Sequence, residues 1–173
     1  VCSSDLDEVF NQLQPSETVY AALTPNLRGL ERAIDCNVKE VAVFAAASEA
    51  FSAKNINCSI DESLNKFEAV IEKASIENIR VRGYISCVAG CPYQGDVDNR
   101  RIKEIASALL SMGCYEVSLG DTIGVATPAI TESLLTELLK EIAASKLAMH
   151  MHDTYGRAID NIKQSLAMGI STI

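Results

Sequence analysis

Short apolar segments alternate along the chain with longer segments in which apolar residues recur every three or four positions. A short apolar run predicts a buried strand, and a spacing of three to four predicts an amphipathic helix. The predicted strands lie at residues 19–23, 40–45, 80–86, 116–119 and 147–151, with a stub at 171–173. The predicted helices lie at residues 26–36, 59–74, 99–112, 128–143 and 156–168, after the end of an earlier helix at 7–13. This alternation predicts an α/β protein with parallel strands.

Polar residues follow nearly every predicted strand, as at Asp121-Thr122 and His152-Asp153-Thr154. No strand is followed by the glycine pattern of a dinucleotide-binding sheet, so we expect a (β/α)8 TIM barrel, whose strand ends meet at one mouth. A complete barrel takes about 250 residues, and this chain has 173. We therefore expect about five complete strand–helix units with truncated ends. Residues 1–173 would be the interior part of a single catalytic domain, without its first strands and its last strand and C-terminal region.

Composition excludes several classes of function. A hydrophobic content of 48% with 22% charged residues is typical of a soluble globular protein. The net charge of −8 argues against non-specific binding to nucleic acid. No apolar run is long enough to cross a membrane, and the first seven residues lack the pattern of a signal peptide. Cys87 and Cys91 have the spacing of half a zinc site, but no second pair has it, and a chain this large and apolar needs no disulfide framework. The six cysteines therefore favour a reducing, cytoplasmic setting.

His150 and His152, the only two histidines, stand two residues apart at the end of a predicted strand. Strand geometry sends both rings to the same face, roughly 6–7 Å apart at the backbone. This spacing predicts two nitrogen ligands for one divalent cation. The alternative is a pair of ordinary polar residues at a strand end.

Several segments at the strand ends resemble the 3-hydroxy-3-methylglutaryl-CoA lyase family. The segments Ser118–Gly124 and His150–Gly156 are shared with the wider barrel superfamily that includes isopropylmalate and homocitrate synthases. Three other segments are more particular to the lyase: Leu23-Thr24-Pro25-Asn26, Asn55-Ile56-Asn57-Cys58-Ser59 and Gly90-Cys91-Pro92-Tyr93. The resemblance covers almost the whole chain from about residue 19.

The resemblance implies a carbon–carbon lyase that depends on a divalent cation, Mg²⁺ or Mn²⁺. It would cleave the acyl-CoA substrate 3-hydroxy-3-methylglutaryl-CoA into acetoacetate and acetyl-CoA, as in leucine degradation. His150 and His152 match two metal ligands of that family. Its members are often dimers, so a homodimer is possible, and a eukaryotic precursor with a transit peptide would be mitochondrial.

The resemblance also implies roles for five further residues. Asp121 matches a functional aspartate that handles the substrate hydroxyl or supports the metal site, and its alternative role is to cap the next turn. Asn55, Ser59, Tyr84 and Thr122 resemble contacts to the substrate or its CoA. Ser59 is equally explained as a helix cap, and Tyr84 as a packed aromatic with a wet tip. Arg82 is expected to be structural.

Two alternatives stay open at this point. One is a Claisen-type acyltransferase of the same superfamily, acting on a 2-oxo acid. The other is a catalytically silent metal-binding fragment, because the family's Arg–Asp pair, its glutamate, its catalytic cysteine and an asparagine ligand have no match in residues 1–173. Cys91 follows an interior strand and is not assigned as that cysteine.

Overall fold

The computed structural model describes residues 5–14 and 16–173, so the first four residues, with Cys2, and Pro15 lie outside the description. The strands are β1 (Ala21–Leu23), β2 (Glu40–Ala46), β3 (Arg80–Ser86), β4 (Glu116–Asp121) and β5 (Leu147–Met151). The α-helices are α1 (Leu6–Gln12), α2 (Leu27–Asp35), α3 (Glu49–Ile56), α4 (Ile60–Ile76), α5 (Asn99–Met112), α6 (Pro128–Leu138) and α7 (Ala158–Ala167). A short 3-10 turn, Ala144–Lys146, precedes β5.

The five strands form one parallel sheet in the order in which they occur along the chain, β1-β2-β3-β4-β5. A doubly wound sheet reverses its strand order at a switch point, whereas a barrel adds each strand beside the last. The sequential order therefore agrees with the barrel that the sequence predicts. Thr172 continues the series, because its carbonyl accepts a hydrogen bond of 3.0 Å from Met149 N and it bridges to Ala148 in parallel.

Alternation along the strands separates a helix-facing side of the sheet from an inner side. On β3, Val81 and Ile85 are buried in the hydrophobic core that the sheet shares with the helices. Arg82, Tyr84 and Ser86 point to the opposite side and are only partly buried. Successive side chains of a strand point to opposite faces, so the inner side carries the polar residues of β3. The candidate site is built on this side and on the carboxyl ends of the strands.

Local sequence signals account for most helix ends. Ser59 and Glu62 form a complete capping box at the start of α4, in which each residue's side chain accepts a hydrogen bond from the other's backbone N–H.

Two helices differ from the prediction. The helix predicted at residues 128–143 begins as expected but is shorter, because α6 ends at Leu138. Helix α3 was not predicted, because its segment contains few large apolar residues and only Ser52 of the helix is buried. No helix in residues 5–14 and 16–173 has the length and apolar character that a membrane span requires.

Candidate metal centre and substrate cavity

The two histidines converge at the carboxyl end of β5. His150 is the residue of β5 paired with Gly120 of β4, and His152 follows one residue after the strand ends. Their ring centroids are 5.0 Å apart, and their Nε2 atoms are 3.2 Å apart. The prediction that both rings point the same way is therefore confirmed.

The distance between the two Nε2 atoms suits adjacent positions around one cation. Two ligands at a right angle, each about 2.1 Å from the ion, are roughly 3 Å apart. Nδ1 of His152 lies 2.6 Å from the carbonyl oxygen of Thr122. Because a carbonyl only accepts, Nδ1 carries the proton of the neutral ring, and Nε2 keeps its lone pair for a metal. Among the described residues no group of three or more metal-binding side chains forms, so this part of the chain offers two nitrogens.

Burial and neighbouring basic groups favour the neutral form of His150. Burial, and then the electrostatic effect of the nearby His152 and Arg82, lower the pKa of His150 below its ordinary value of 6.5. The ring of Tyr84 meets His150 edge-on, with centroids 6.4 Å apart. Neutral imidazole is the form that binds a metal, so a lowered pKa would extend any metal binding by His150 toward lower pH.

Arg82 links Tyr84 to the next strand on the inner side of the sheet. Its Nη2 lies 2.7 Å from the carboxylate of Glu116, and its Nη1 donates to Tyr84 Oη at 3.2 Å. Arg82 thus anchors the hydroxyl of Tyr84, and the structural role expected of it stays a prediction. Arg82 and Glu116 are paired residues on the neighbouring strands β3 and β4. A single sequence does not show this pairing, so Glu116 could not be predicted as the partner of Arg82.

Asp121 lies beneath the mouth of the sheet and is fully buried. Its two carboxylate oxygens accept hydrogen bonds from Val125 N at 3.1 Å and Ala126 N at 2.9 Å. These contacts are those of the turn-capping alternative, and the side chain does not line the cavity described below. A direct catalytic role for Asp121 stays a prediction.

Thr122 connects three elements at the mouth. Its hydroxyl oxygen accepts a hydrogen bond of 2.7 Å from Cys87 N, at the end of β3, and its carbonyl accepts from His152. Thr122 also lines the cavity. Its position therefore suits both the predicted contact with substrate and a structural role that connects the strand ends.

A cavity of about 830 Å³ opens beside the histidine pair. Five of the seven predicted site residues line it: Asn55, Tyr84, Thr122, His150 and His152. Ser59 does not line it, and its hydroxyl is engaged in the capping box of α4. The structure therefore supports the capping alternative for Ser59, while its predicted contact with substrate stays untested.

Sequence reasoning overlooked one face of α4, which contributes Ser63, Lys66 and Phe67 to the cavity wall. These residues are spaced three and four apart, so they share one side of the helix. The capping box at Ser59 was the available signal, because it places the start of α4 directly after the predicted contact Asn55. Lys66 brings a positive charge to a cavity that is otherwise largely apolar on this side.

No cysteine in residues 5–14 and 16–173 joins the two histidines as a third metal-binding side chain. The five described cysteines carry free thiols. Cys91 is buried, bridges to Gly95 and lies 2.9 Å from the hydroxyl of Ser48 through its sulfur. These contacts with Ser48 and Gly95 give Cys91 a structural role in the loop after β3.

A family model described as HMGL-like matches residues 3–173. The chain belongs to the HMGL-like family. Members of this family generally depend on a divalent cation. The relationship confirms the resemblance inferred from the strand-end segments, and it is consistent with the two histidine nitrogens that converge at the mouth of the sheet.

Individual relatives of this HMGL-like chain are lyases. The 3-hydroxy-3-isohexenylglutaryl-CoA/hydroxy-methylglutaryl-CoA lyase of Pseudomonas aeruginosa is 57% identical over 165 residues, which are 95% of this chain and 55% of that protein. A crystal structure of hydroxymethylglutaryl-CoA lyase from the same organism has a TM-score of 0.94 and 55% identity, over 98% of this chain and 57% of that one. Other relatives are named as mitochondrial or as cytoplasmic lyases.

A more distant relative was solved with bound ligands. The lyase from Acinetobacter baumannii, solved in complex with coenzyme A and 3-methylmalate, is 26% identical with a TM-score of 0.90, over 96% of this chain and 54% of that one. This chain spans about half the length of the curated relatives it matches. The similarity to these relatives covers 95–98% of this chain, and so includes the strand end with His150 and His152.

Proposed function

We propose that this chain is part of a divalent-cation-dependent lyase that cleaves 3-hydroxy-3-methylglutaryl-CoA to acetoacetate and acetyl-CoA. One observation carries the proposal: two imidazole nitrogens 3.2 Å apart border a large cavity in a chain of the HMGL-like family. The names of its relatives support this reaction over the acyltransferase alternative.

The reaction removes the proton of the 3-hydroxyl, breaks the bond between C2 and C3, and leaves a thioester enolate that takes up a proton. Mg²⁺ or Mn²⁺, when bound, lowers the pKa of that hydroxyl and orients the substrate. His150 and His152 supply two of its ligands, with Nε2 of His152 oriented by the Thr122 carbonyl. Asp121 holds the turn that carries Thr122.

The substrate is an acyl-CoA with a free carboxylate and several phosphates, and the cavity provides contacts for such groups. Asn55 supplies an amide, and Lys66 supplies a positive charge on the α4 side. The hydroxyl of Tyr84 lies on the inner side of the sheet, where Arg82 donates to it. These contacts, a cytoplasmic location and a homodimer remain predictions.

A second substrate is favoured by the apolar part of the cavity wall. Phe44, Ile56 and Phe67 line the cavity, and the Phe44 and Phe67 rings lie 6.4 Å apart. The Pseudomonas relative is named for both the methyl and the isohexenyl substrate. We infer that this wall also accepts a 3-hydroxyglutaryl-CoA with a longer apolar branch.

The test uses the complete product of the coding sequence alongside the purified 173-residue chain. Each is incubated with substrate and Mg²⁺ or Mn²⁺, and acetoacetate and acetyl-CoA are measured together. We expect the complete protein to release both products in equal amounts, and the His150→Ala and His152→Ala variants to lose activity. Consumption of acetyl-CoA with a 2-oxo acid would contradict the proposal.

The purified chain separates the third interpretation from the first. If it binds Mn²⁺ but forms no acetoacetate, it is a metal-binding part of the enzyme that does not turn over alone. If it forms acetoacetate, the two nitrogens and the cavity residues of this segment are sufficient for catalysis.

A further inference from the structure

The turn that follows β4 makes contact with both neighbouring strand ends through Thr122. On one side, the hydroxyl oxygen of Thr122 accepts a hydrogen bond of 2.7 Å from the backbone N–H of Cys87. On the other side, the carbonyl oxygen of Thr122 accepts from His152 Nδ1 at 2.6 Å. One residue therefore joins the loop after β3 to the ring of a proposed metal ligand.

The contact with Cys87 holds an unusual backbone conformation. Cys87 has a φ of +65°, in the left-handed region that side chains other than glycine rarely adopt. Such a conformation persists only where the surroundings fix it, and it is concentrated at functional sites. Cys87 is fully buried, so its N–H needs a protein acceptor, and the Thr122 hydroxyl provides one.

The contact with His152 decides which ring nitrogen is free. A neutral imidazole carries one proton, and the nitrogen that carries it is set by the hydrogen bond it makes. With Nδ1–H donated to the Thr122 carbonyl, the lone pair of Nε2 faces His150. Rotation of the Thr122 carbonyl would remove this constraint on both the ring orientation and the tautomer.

We propose that Thr122 is a positioning residue for His152, with its hydroxyl bound to the Cys87 amide so that its carbonyl fixes the Nδ1–H tautomer. The inference rests on the proposed function in one respect, which is that His152 is a metal ligand. It gives Thr122 a role through another residue, beside the direct contact with substrate that the sequence suggested. It also makes the loop after β3 part of the metal site, through the hydrogen bond from Cys87 N to the Thr122 hydroxyl.

The side chain of Thr122 offers a clean pair of variants. Thr122→Val keeps the shape and removes the hydroxyl oxygen, whereas Thr122→Ser keeps the oxygen and removes only a methyl group. Thr136→Val, at an exposed position on α6, controls for the exchange of threonine for valine itself. Loss of an outer partner of a metal ligand costs about 10- to 100-fold in metal affinity. Because the carbonyl itself remains, we expect Thr122→Val to weaken Mn²⁺ binding by about 10-fold, at the low end of that range.

The first measurement is the tautomer of His152, read from ¹⁵N shifts after selective labelling of histidine. The chain has two histidines, so the spectrum contains four ring nitrogens, which His150→Gln and His152→Gln assign. We expect Nδ1–H for His152 in the unsubstituted chain and in Thr122→Ser, and a mixture of tautomers in Thr122→Val. An Nε2–H tautomer in the unsubstituted chain overturns the proposal even if Thr122→Val does not fold.

The second measurement is the affinity for Mn²⁺ alone, followed by electron paramagnetic resonance of the free ion. We expect Thr122→Ser and Thr136→Val to bind like the unsubstituted chain, and Thr122→Val to bind more weakly. Equal affinity and equal tautomers in Thr122→Val and Thr122→Ser overturn the positioning role while the proposed function stands. Absence of Mn²⁺ binding in the complete protein, with the Nδ1–H tautomer of His152 intact, overturns the metal centre and leaves the hydrogen-bond assignment in place.

Discussion

Gly124→Ala perturbs the candidate site without touching either histidine ring. Gly124 lies in the turn after β4 with a φ of +71°. A methyl group there would lie 2.6 Å from Thr154 Oγ1, 2.7 Å from Thr154 Cβ and 3.0 Å from the carbonyl oxygen of His152. Because Cβ and the carbonyl belong to the main chain or adjoin it, rotation of a side chain does not relieve the contact. The segment from His152 to Thr154 must therefore move.

The expected loss of stability has two parts. An alanine in the left-handed region costs roughly 1–2 kcal/mol. Overpacking against a fixed backbone adds about 1–3 kcal/mol. We expect Gly124→Ala to lower the free energy of unfolding by their sum, about 2–5 kcal/mol. Displacement of His152 should also weaken Mn²⁺ binding.

Gly156→Ala is the matched control for this change. Gly156 has nearly the same φ, +70°, but a methyl group there would have no heavy atom within 4 Å. Both substitutions restrict the unfolded chain in the same way, so that effect cancels in the difference between the variants. The control should lose only the backbone part, and the difference of about 1–3 kcal/mol measures the steric contact.

Urea unfolding followed by circular dichroism, together with Mn²⁺ titration, provides the assay. We expect Gly124→Ala to be less stable than Gly156→Ala and to bind Mn²⁺ more weakly. Equal losses of stability in the two variants, or unchanged Mn²⁺ affinity in Gly124→Ala, would refute the close packing of the two turns.

Three further substitutions separate structural from chemical roles. Asp121→Asn places an amide N–H opposite one of two backbone N–H groups, so the free energy of unfolding measured in urea should fall by about 1–3 kcal/mol. A purely catalytic role for Asp121 instead predicts a loss of activity at unchanged stability. Ser59→Ala removes the acceptor for Glu62 N and should cost about 1 kcal/mol without a change in KM; a raised KM at unchanged stability would favour substrate contact. The hydrogen bond from Lys103, and then that from Lys140, lowers the pKa of Glu137 from 4.5 to about 2. Its stabilising effect is therefore present in full above pH 4.5 and lost as the pH falls through about 2. Glu137→Gln should then be less stable than the unsubstituted chain at pH 7 and equal to it only below about pH 2.

Periodic side-chain patterns explain the success of the fold prediction. The bounds of β3, β5 and α5 agree with the predicted ones, since each segment has a clear apolar pattern and polar or glycine residues at its ends. Helix α3 was not predicted because it contains few large apolar residues and only its Ser52 is buried, although the side chain of Ser48 caps it. Local pattern thus predicts an element where its own sequence supplies most of the stabilising contacts.

Candidate site residues were predicted where the type of side chain indicates a function. Contacts made by backbone groups were not predicted. The two histidines were identified because strand geometry alone makes their rings converge. The acceptor for His152 is a carbonyl, which every residue possesses, so no sequence pattern marks Thr122 for that contact. Asp121 was identified as important, yet both its oxygens bind backbone N–H groups that only the folded turn brings within reach.

The turn after β4 supports the proposed metal centre because the strand order places β4 between β3 and β5. Its three contacts use short groups: the carboxylate of Asp121 inside the turn, the hydroxyl of Thr122 toward β3, and the bare backbone of Gly124 toward the segment after β5. A longer side chain at any of these positions would separate strand ends that must stay within hydrogen-bond distance. The same sheet order that makes the fold a barrel segment thereby fixes the direction of a nitrogen lone pair on His152.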